Sequence, residues 1–308
     1  MTGQSTYAIP SARNVAVIVA QLAAFGGCVA LARLVDRWWE VALLALGFGI
    51  LMNSVYATIH EAEHGILFPG RQVNDAFGVA LAALFPAPFH LIRQGHIGHH
   101  MRNRSDDEAF DFYFDGEHAV WKYLQLYGIL TGLFYIAVVL SNVVAVLCPF
   151  VLDRRNFEFD KPSAALMESL NPKYRRWIFL EGLYAIALHT AIVLLFDVPL
   201  LNYAIMYFGF GFIWSAMQYV HHFGTDRDVV KGARNLFIWA PLDLLWLNHN
   251  WHQTHHAHPT VPWVHLPRIG QTENPQRGFL LLAYLKMWRG PRYTKEHVEN
   301  RYAGRVIH

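Results

Sequence analysis

Four stretches are largely apolar over the length a helix needs to cross a bilayer: Asn14 to Ala32, Val41 to Ile59, Trp177 to Phe196 and Pro199 to Tyr219. A hydrocarbon layer of ~30 Å takes about 20 such residues. The link from Arg33 to Glu40 is only a turn long and carries Trp38 and Trp39, which suit the interfacial belt. Asp197-Val198 alone separates the second pair. The pattern therefore predicts two transmembrane hairpins, each with both ends on one side. Two further stretches are less regular. Val73 to Ile92 contains Pro86 and Pro88, and Leu124 to Leu152 has Ser141 and Asn142 in its middle. Both lie between groups of histidines that are expected to share one side of the membrane, so the chain must leave on the side it entered: the first reads as interfacial or re-entrant and the second as a bent or shallow hairpin.

Sidedness follows from the basic residues. Arg154, Arg155, Lys161, Lys173, Arg175 and Arg176 make the most basic loop of the chain. The positive-inside rule places such a loop in the cytoplasm. From Asp226 onward the sequence is mixed and broken by Pro and Gly, as expected of a cytoplasmic cap spanning 226–308. Phe279 to Trp288 within it has the pattern of an amphipathic helix lying on the membrane. No repeat or linker divides the chain, so a single domain over 1–308 is the economical expectation.

Composition agrees with the pattern. Of 308 residues, 54% are hydrophobic and 16% charged, with ten Trp; ordinary soluble domains are near 45–50% and 25%. A net charge of +2 gives no electrostatic case for nucleic acid. Cys28 and Cys148 imply neither a disulfide framework nor a thiolate site. The first apolar run lacks a small-residue cleavage site, so no cleavable signal peptide is expected. The expected fold is an all-α integral membrane protein, in a bacterial inner membrane, with a helical cap on the cytoplasmic side.

The chemistry is carried by histidine, of which there are 18. His60 and His64 are spaced i, i+4, while His96, His99, His100 and again His252, His255, His256 are spaced i, i+3, i+4. On a helix each group presents its imidazoles on one face. Neutral imidazoles suit first-row transition metals, and eight clustered ligands are about right for two ions. His60-Glu61-Ala62-Glu63-His64 also fits the zinc-peptidase helix, with Glu61 as general base. A catalytic zinc uses three protein ligands and would leave the other clusters unexplained. A metal transporter or sensor is the rival from another class; it predicts histidines within the spans, where only His189 falls.

These boxes, in the order HxxxH, HxxHH, HxxHH on a chain with paired hairpins, resemble the membrane-bound fatty acid desaturase and hydroxylase superfamily of non-haem diiron enzymes. The resemblance covers roughly Asn14 to Pro267. Residues 252–260 (HQTHHAHPT) and 218–224 (QYVHHFG), with Glu61 in the first box, look most like the alkane monooxygenase branch. The compact second box looks more like simple desaturases. The resemblance implies a ninth ligand after the last span, four residues beyond a polar amide. Gln218 stands four before His222, which selects His222 over His221 and makes Gln218 the candidate water-mediated contact; some relatives carry Asn there.

The resemblance further implies two iron ions, dioxygen and an external electron donor. The chain carries no haem, flavin or CxxC motif, so a ferredoxin, rubredoxin or cytochrome is expected to dock, steered by the basic loop. The implied substrate is a fatty acid or fatty acyl group, with desaturation first and hydroxylation or decarboxylation to a 1-alkene behind it. Trp177, Phe179, Tyr184, Phe208, Phe210, Phe212 and Trp214 are candidates to line its tunnel, chiefly Trp177, Tyr184, Phe208 and Trp214. Arg93, Arg102 and Arg104 are candidates for a carboxylate or an acyl-carrier phosphate, or for anionic lipid. Carboxylates should orient the ligands through their second N–H. Glu63, Asp106, Asp107, Glu108, Asp226, Asp228 and Asp243 are near enough in sequence, and Asp107 and Asp226 are preferred.

Overall fold

The computed structural model describes residues 7–307. Its helices are α1 (Ser11–Leu34), α2 (Trp38–Glu63), α3 (Arg71–Leu84), α4 (Phe89–Arg102), α5 (Ala119–Thr131), α6 (Leu133–Leu147), α7 (Lys161–Ser169), α8 (Arg175–Leu195), α9 (Leu200–Val220), α10 (Ala240–Leu245), α11 (His252–Ala257), α12 (Leu266–Glu273) and α13 (Leu280–Met287). Two short parallel pairings staple the later chain: β1 (Phe112–Tyr113) with β4 (Arg292–Tyr293), and β2 (Leu236–Phe237) with β3 (Gly278–Phe279). Four helices are long and apolar enough to cross a membrane, or up to six if each of two bent pairs is one span.

Helix α2 is the axis of the spanning part. Its most apolar window is 67% buried, against 28% for α1. In α1 only the stripe Asn14, Ile18, Gln21, Phe25, Val29 and Ala32 is buried, at intervals of three and four, and the apolar remainder faces outward as lipid contact would require. Helix α2 packs most extensively on α9, where small residues let the backbones meet. A Cβ on Gly209 would lie 2.6 Å from the Ala45 carbonyl oxygen. Polar groups in this layer are paired: Gln21 Nε2 donates to Ser54 Oγ at 2.8 Å and Thr58 Oγ1 at 2.9 Å, and Ser54 Oγ donates to the Leu245 carbonyl at 2.5 Å. Without water to satisfy them, such groups need partners.

The two irregular stretches are bent pairs. Helices α3 and α4 turn by 100° and α5 and α6 by 92°. Pro88 caps the start of α4, where it has no N–H to leave unpaired. The carbonyls exposed at the end of α3 are taken by side chains: His189 Nε2 on Ala83 (2.9 Å), Tyr207 OH on Leu84 (3.0 Å) and Asn142 Nδ2 on Pro86 (3.1 Å). His189, in the middle of α8, thus secures a bend. Gly132 makes the second bend with φ +86°, and a Cβ there would meet the Phe212 Cα at 2.9 Å. Both requirements exclude other residues.

Helices α8 and α9 depart from the expected hairpin. Helix α8 packs on α3 and α6 and meets α9 through His189 and Tyr203 rather than along its length. The link allows this, because the four residues from Phe196 to Pro199 let the two helix ends splay. Helix α2 also runs one turn beyond Ile59, carrying His60, Glu61 and Glu63 as helical residues. Near the end of the chain, α13 buries Leu280, Ala283 and Met287 and leaves Leu281, Leu282 and Leu285 exposed.

Candidate metal centre

Four elements deliver imidazoles to one place. Helix α2 and its C-cap carry His60 and His64; α4 carries His96, His99 and His100; His222 follows α9 by two residues; α11 carries His252, His255 and His256. Their ring nitrogens form two groups. One is His60, His64, His96, His100 and His255, the other His99, His222, His252 and His256, and within each the nitrogens lie within 4.8 Å of one another. The i, i+3, i+4 spacing divides each cluster between the groups: His96 and His100 go one way and His99 the other. His255 and His256, adjacent in α11, likewise point to different groups.

These contacts do not work as hydrogen bonds among themselves. Nε2 of His96 lies 2.8 Å from that of His64 and 3.1 Å from that of His100, and Nε2 of His100 lies 3.0 Å from that of His255. A neutral ring nitrogen offers either one hydrogen or one lone pair, never both. Each such nitrogen can serve one partner, so three contacts in a chain of four leave at least one that is not a hydrogen bond. In the other group His222 and His252 meet at 3.0 Å and His252 and His256 at 3.2 Å. A cation accepting every lone pair removes the conflict. Nitrogens about 2.1 Å from one ion lie at most about 4.2 Å apart, so small ring movements close either group. Burial, with the neighbouring imidazoles, pushes His222, His252, His255 and His256 well below the ordinary histidine range and keeps their lone pairs free. The donor set fits two nitrogen-loving metal ions.

The supporting shell is partly as expected and partly not. His99 Nδ1 meets Glu108 Oε2 at 2.7 Å, and Glu108 Oε1 also takes Arg102 Nε at 2.6 Å. Burial would raise the Glu108 carboxyl, but Arg102 and His99 bring it below the usual carboxylate range. His222 Nδ1 donates to the Gly232 carbonyl at 2.8 Å. Glu63 sets a carboxylate oxygen 4.0 Å from His96 Nδ1, too long for a hydrogen bond, and both its oxygens lack a partner among the described residues. His221 joins neither group; its Nε2 lies 3.2 Å from Asn250 Oδ1, and Asn250 donates to Asp243.

Several expected site residues lie elsewhere. Asp107 accepts from Asn300 and Asp106 from Arg227 and the Val298 N–H, so this acidic pair holds the C-terminal segment. The chain turns tightly after α4, which brings Glu108, one residue on, back to His99. Asp226 is exposed and gives only its carbonyl, to Arg104. Asp228 closes its own turn. Glu61 is directed away from the imidazoles and accepts the Trp263 N–H at 3.1 Å. That removes the base the peptidase reading needs. Arg104 is fully buried against Asp111, and Arg93 pairs with Asp75.

An apolar cavity of about 270 Å³ reaches both imidazole groups through His60, His96, His99 and His252. Trp214 lines it, with Gln218 one turn later; Gln218 Nε2 donates to the Trp214 carbonyl at 3.2 Å. Trp177, Tyr184 and Phe208 do not line it and are exposed on the outer faces of α8 and α9 (56%, 45% and 46%). Helical spacing told which residues share a face but not which face turns inward. Unforeseen lining residues are Tyr56, Phe85 and Phe134, packed around Trp214, and His249, whose ring abuts His60 at 4.8 Å. Tyr56 stands one turn before His60, a spacing that would have revealed it.

His221 and His249 bear on stability. Burial lowers His221 to about 3 and His249 to about 4. Unfolded histidine titrates near 6.5. Below that pH the unfolded chain binds protons that the folded one refuses, so stability is present above about pH 6.5 and declines toward the folded values. The thermal midpoint of the detergent-solubilised protein is expected to fall as pH is lowered from about 7.5 to 5. A flat profile would mean these rings are not held neutral.

A helical, span-rich chain that gathers two imidazole groups against an apolar cavity defines a class, the membrane histidine-box oxidoreductases. The chain belongs to the fatty acid desaturase family, which it matches over residues 37–288. Among its relatives are two beta-carotene ketolases of Paracoccus. With that of strain N81106 / MBIC 01143 it is 26% identical over 226 residues, 72% of this chain and 76% of the relative. With that of strain PC1 it is 27% identical over 239 residues, 75% of this chain and 80% of the relative. The chain is an oxidoreductase of this diiron histidine-box superfamily.

Proposed function

We propose that this single-domain membrane enzyme uses dioxygen and two irons to oxidise the alkyl chain of a fatty acid or fatty acyl group, with desaturation as the first outcome. The observation that carries this is one apolar cavity walled by both imidazole groups. His60, His64, His96, His100 and His255 would hold one iron, and His99, His222, His252 and His256 the other. Bound there, the pair would supply the reduction of dioxygen that removes hydrogen from an unactivated carbon. Desaturation takes two hydrogens from the substrate, two electrons and two protons from outside, and returns two waters. Hydroxylation and decarboxylation to a 1-alkene share the first C–H cleavage, and substrate placement selects among them.

The chain's own residues supply position and dryness. Tyr56, Phe85, Phe134 and Trp214 give the alkyl chain an apolar wall, and Glu108 and Gly232 fix the His99 and His222 rings. Electrons would come from a separate ferredoxin, rubredoxin or cytochrome on the cytoplasmic face. The basic loop offers less free charge than expected, since Arg154 pairs with Glu168 and Lys161 with Glu117. In this reading the bent pairs α3–α4 and α5–α6 are re-entrant, which keeps every histidine on one side.

The relatives favour a second reading, an isoprenoid hydrocarbon as substrate. Membranes holding the protein and a reductase system would be given fatty acids, acyl esters or beta-carotene, and the products analysed by gas and liquid chromatography with headspace sampling. An internal alkene is expected from the fatty substrates; an alcohol or a volatile 1-alkene would change the outcome assigned. Oxidation of carotene alone would transfer the site to the second reading.

A further inference from the structure

One charged pair lines the cavity beside the imidazoles, and its cation is placed like an anchor. Arg102 is the only Lys or Arg among the described lining residues. It is buried, with 7% of its side chain exposed. Its Nε sits 2.6 Å from Glu108 Oε1, while Glu108 Oε2 holds His99. Neither terminal nitrogen makes a described hydrogen bond or ion pair, although Nη1 packs over Gly98, where a Cβ would come within 2.2 Å of it, whereas Arg93 and Arg104, its neighbours along α4 and just after it, are taken by Asp75 and Asp111.

Helix α4 gives the distance scale. It lines the cavity in order with Leu91, Ile92, Gly95, His96, His99 and Arg102. At 1.5 Å per residue, Arg102 stands about 4.5 Å beyond His99 and about 15 Å beyond Ile92. The wall therefore runs from apolar, through the imidazoles, to a cation just past them. A long alkyl chain with an anionic head fits in one orientation, its tail toward Phe85 and Trp214 and its head at Arg102.

We propose that Arg102 binds the carboxylate of an unesterified fatty acid, so that the carbons presented to the imidazole groups lie within a few bonds of the carboxyl group. The proposal rests on the fatty-chain reading above and narrows it. A guanidinium offers a planar fork that matches a carboxylate, and Glu108 already occupies Nε, leaving the terminal edge. An ester or alkane would leave that edge desolvated and unpaired. Arg102 is here a specificity-determining residue.

The test separates binding from turnover. Holo-protein in detergent is loaded with a fluorescent polyene fatty acid, which is displaced by a saturated fatty acid, its methyl ester and the matching alkane. Wild type is expected to prefer acid over ester by about ten- to hundredfold, the range for a charge-assisted bond. Arg102→Met should erase that preference while leaving ester displacement unchanged, and Arg102→Lys should keep part of it. A purely structural role, bracing Glu108, would weaken acid and ester alike. Equal displacement by acid and ester in wild type overturns the Arg102 assignment alone; no displacement by either overturns the fatty-chain reading itself. Should Arg102→Met fail to accumulate, the wild-type ratio and Arg102→Lys decide. Products oxidised at mid-chain would also overturn the proposal.

Discussion

Replacing His100 by alanine is expected to empty the centre and abolish turnover. Its Nε2 touches those of His96 and His255, and its ring stacks on His256 at 4.3 Å. It is a member of the five-nitrogen group and a wall of the four-nitrogen group, so its loss disturbs both. Mutating even the outer partner of a metal ligand typically costs 10–100-fold in affinity, and direct loss should exceed about 100-fold on that scale. Iron per polypeptide, measured by elemental analysis after gel filtration, should fall from about two toward none. His118→Ala, at an exposed helix start remote from the clusters, should leave iron content unchanged. Full iron and activity in His100→Ala would remove it from the ligand set.

Arg104→Met is expected to be the most destabilising change outside the imidazoles. The guanidinium is fully buried and makes two bonds to Asp111, at 2.6 and 3.1 Å, one to Tyr219 OH at 2.6 Å, and one to the Thr225 carbonyl at 3.0 Å. Asp111 also accepts the Gly224 N–H at 2.7 Å. This knot ties the turn after α4 to the segment that carries His222. Removing one partner strands a buried charge, at a cost of about 3–5 kcal/mol. Arg104→Met/Asp111→Leu should recover part of that loss, because no charge is left unpaired. Thermal unfolding of the four proteins in the cycle measures both effects. A single variant as stable as wild type would show that the knot adds little.

Much of the spanning architecture was legible because apolar length is a local property. The four long helices coincide with the four apolar runs within a few residues at each end. Pro86 and Pro88 announced the first bend. The second gave no proline signal; Gly132 turns there with φ +86°, at a place where α9 leaves no room for a side chain. The pairing of α8 with α3 and α6 was not legible, since an apolar helix shows that it has an outer face but not which neighbour it chooses.

The histidine spacing by itself determined that three clusters each share a helix face, and their number pointed to ligands enough for more than one ion. Only the tertiary structure decided that His96 and His100 turn to one group while His99 turns to the other, that Glu108 rather than Asp107 braces His99, and that Trp214 faces the cavity while Trp177 faces outward. The reason is geometric. Spacing along one helix is set by 3.6 residues per turn, whereas the rotation of that helix, and the loop residue brought against it, are set by packing between elements far apart in the chain.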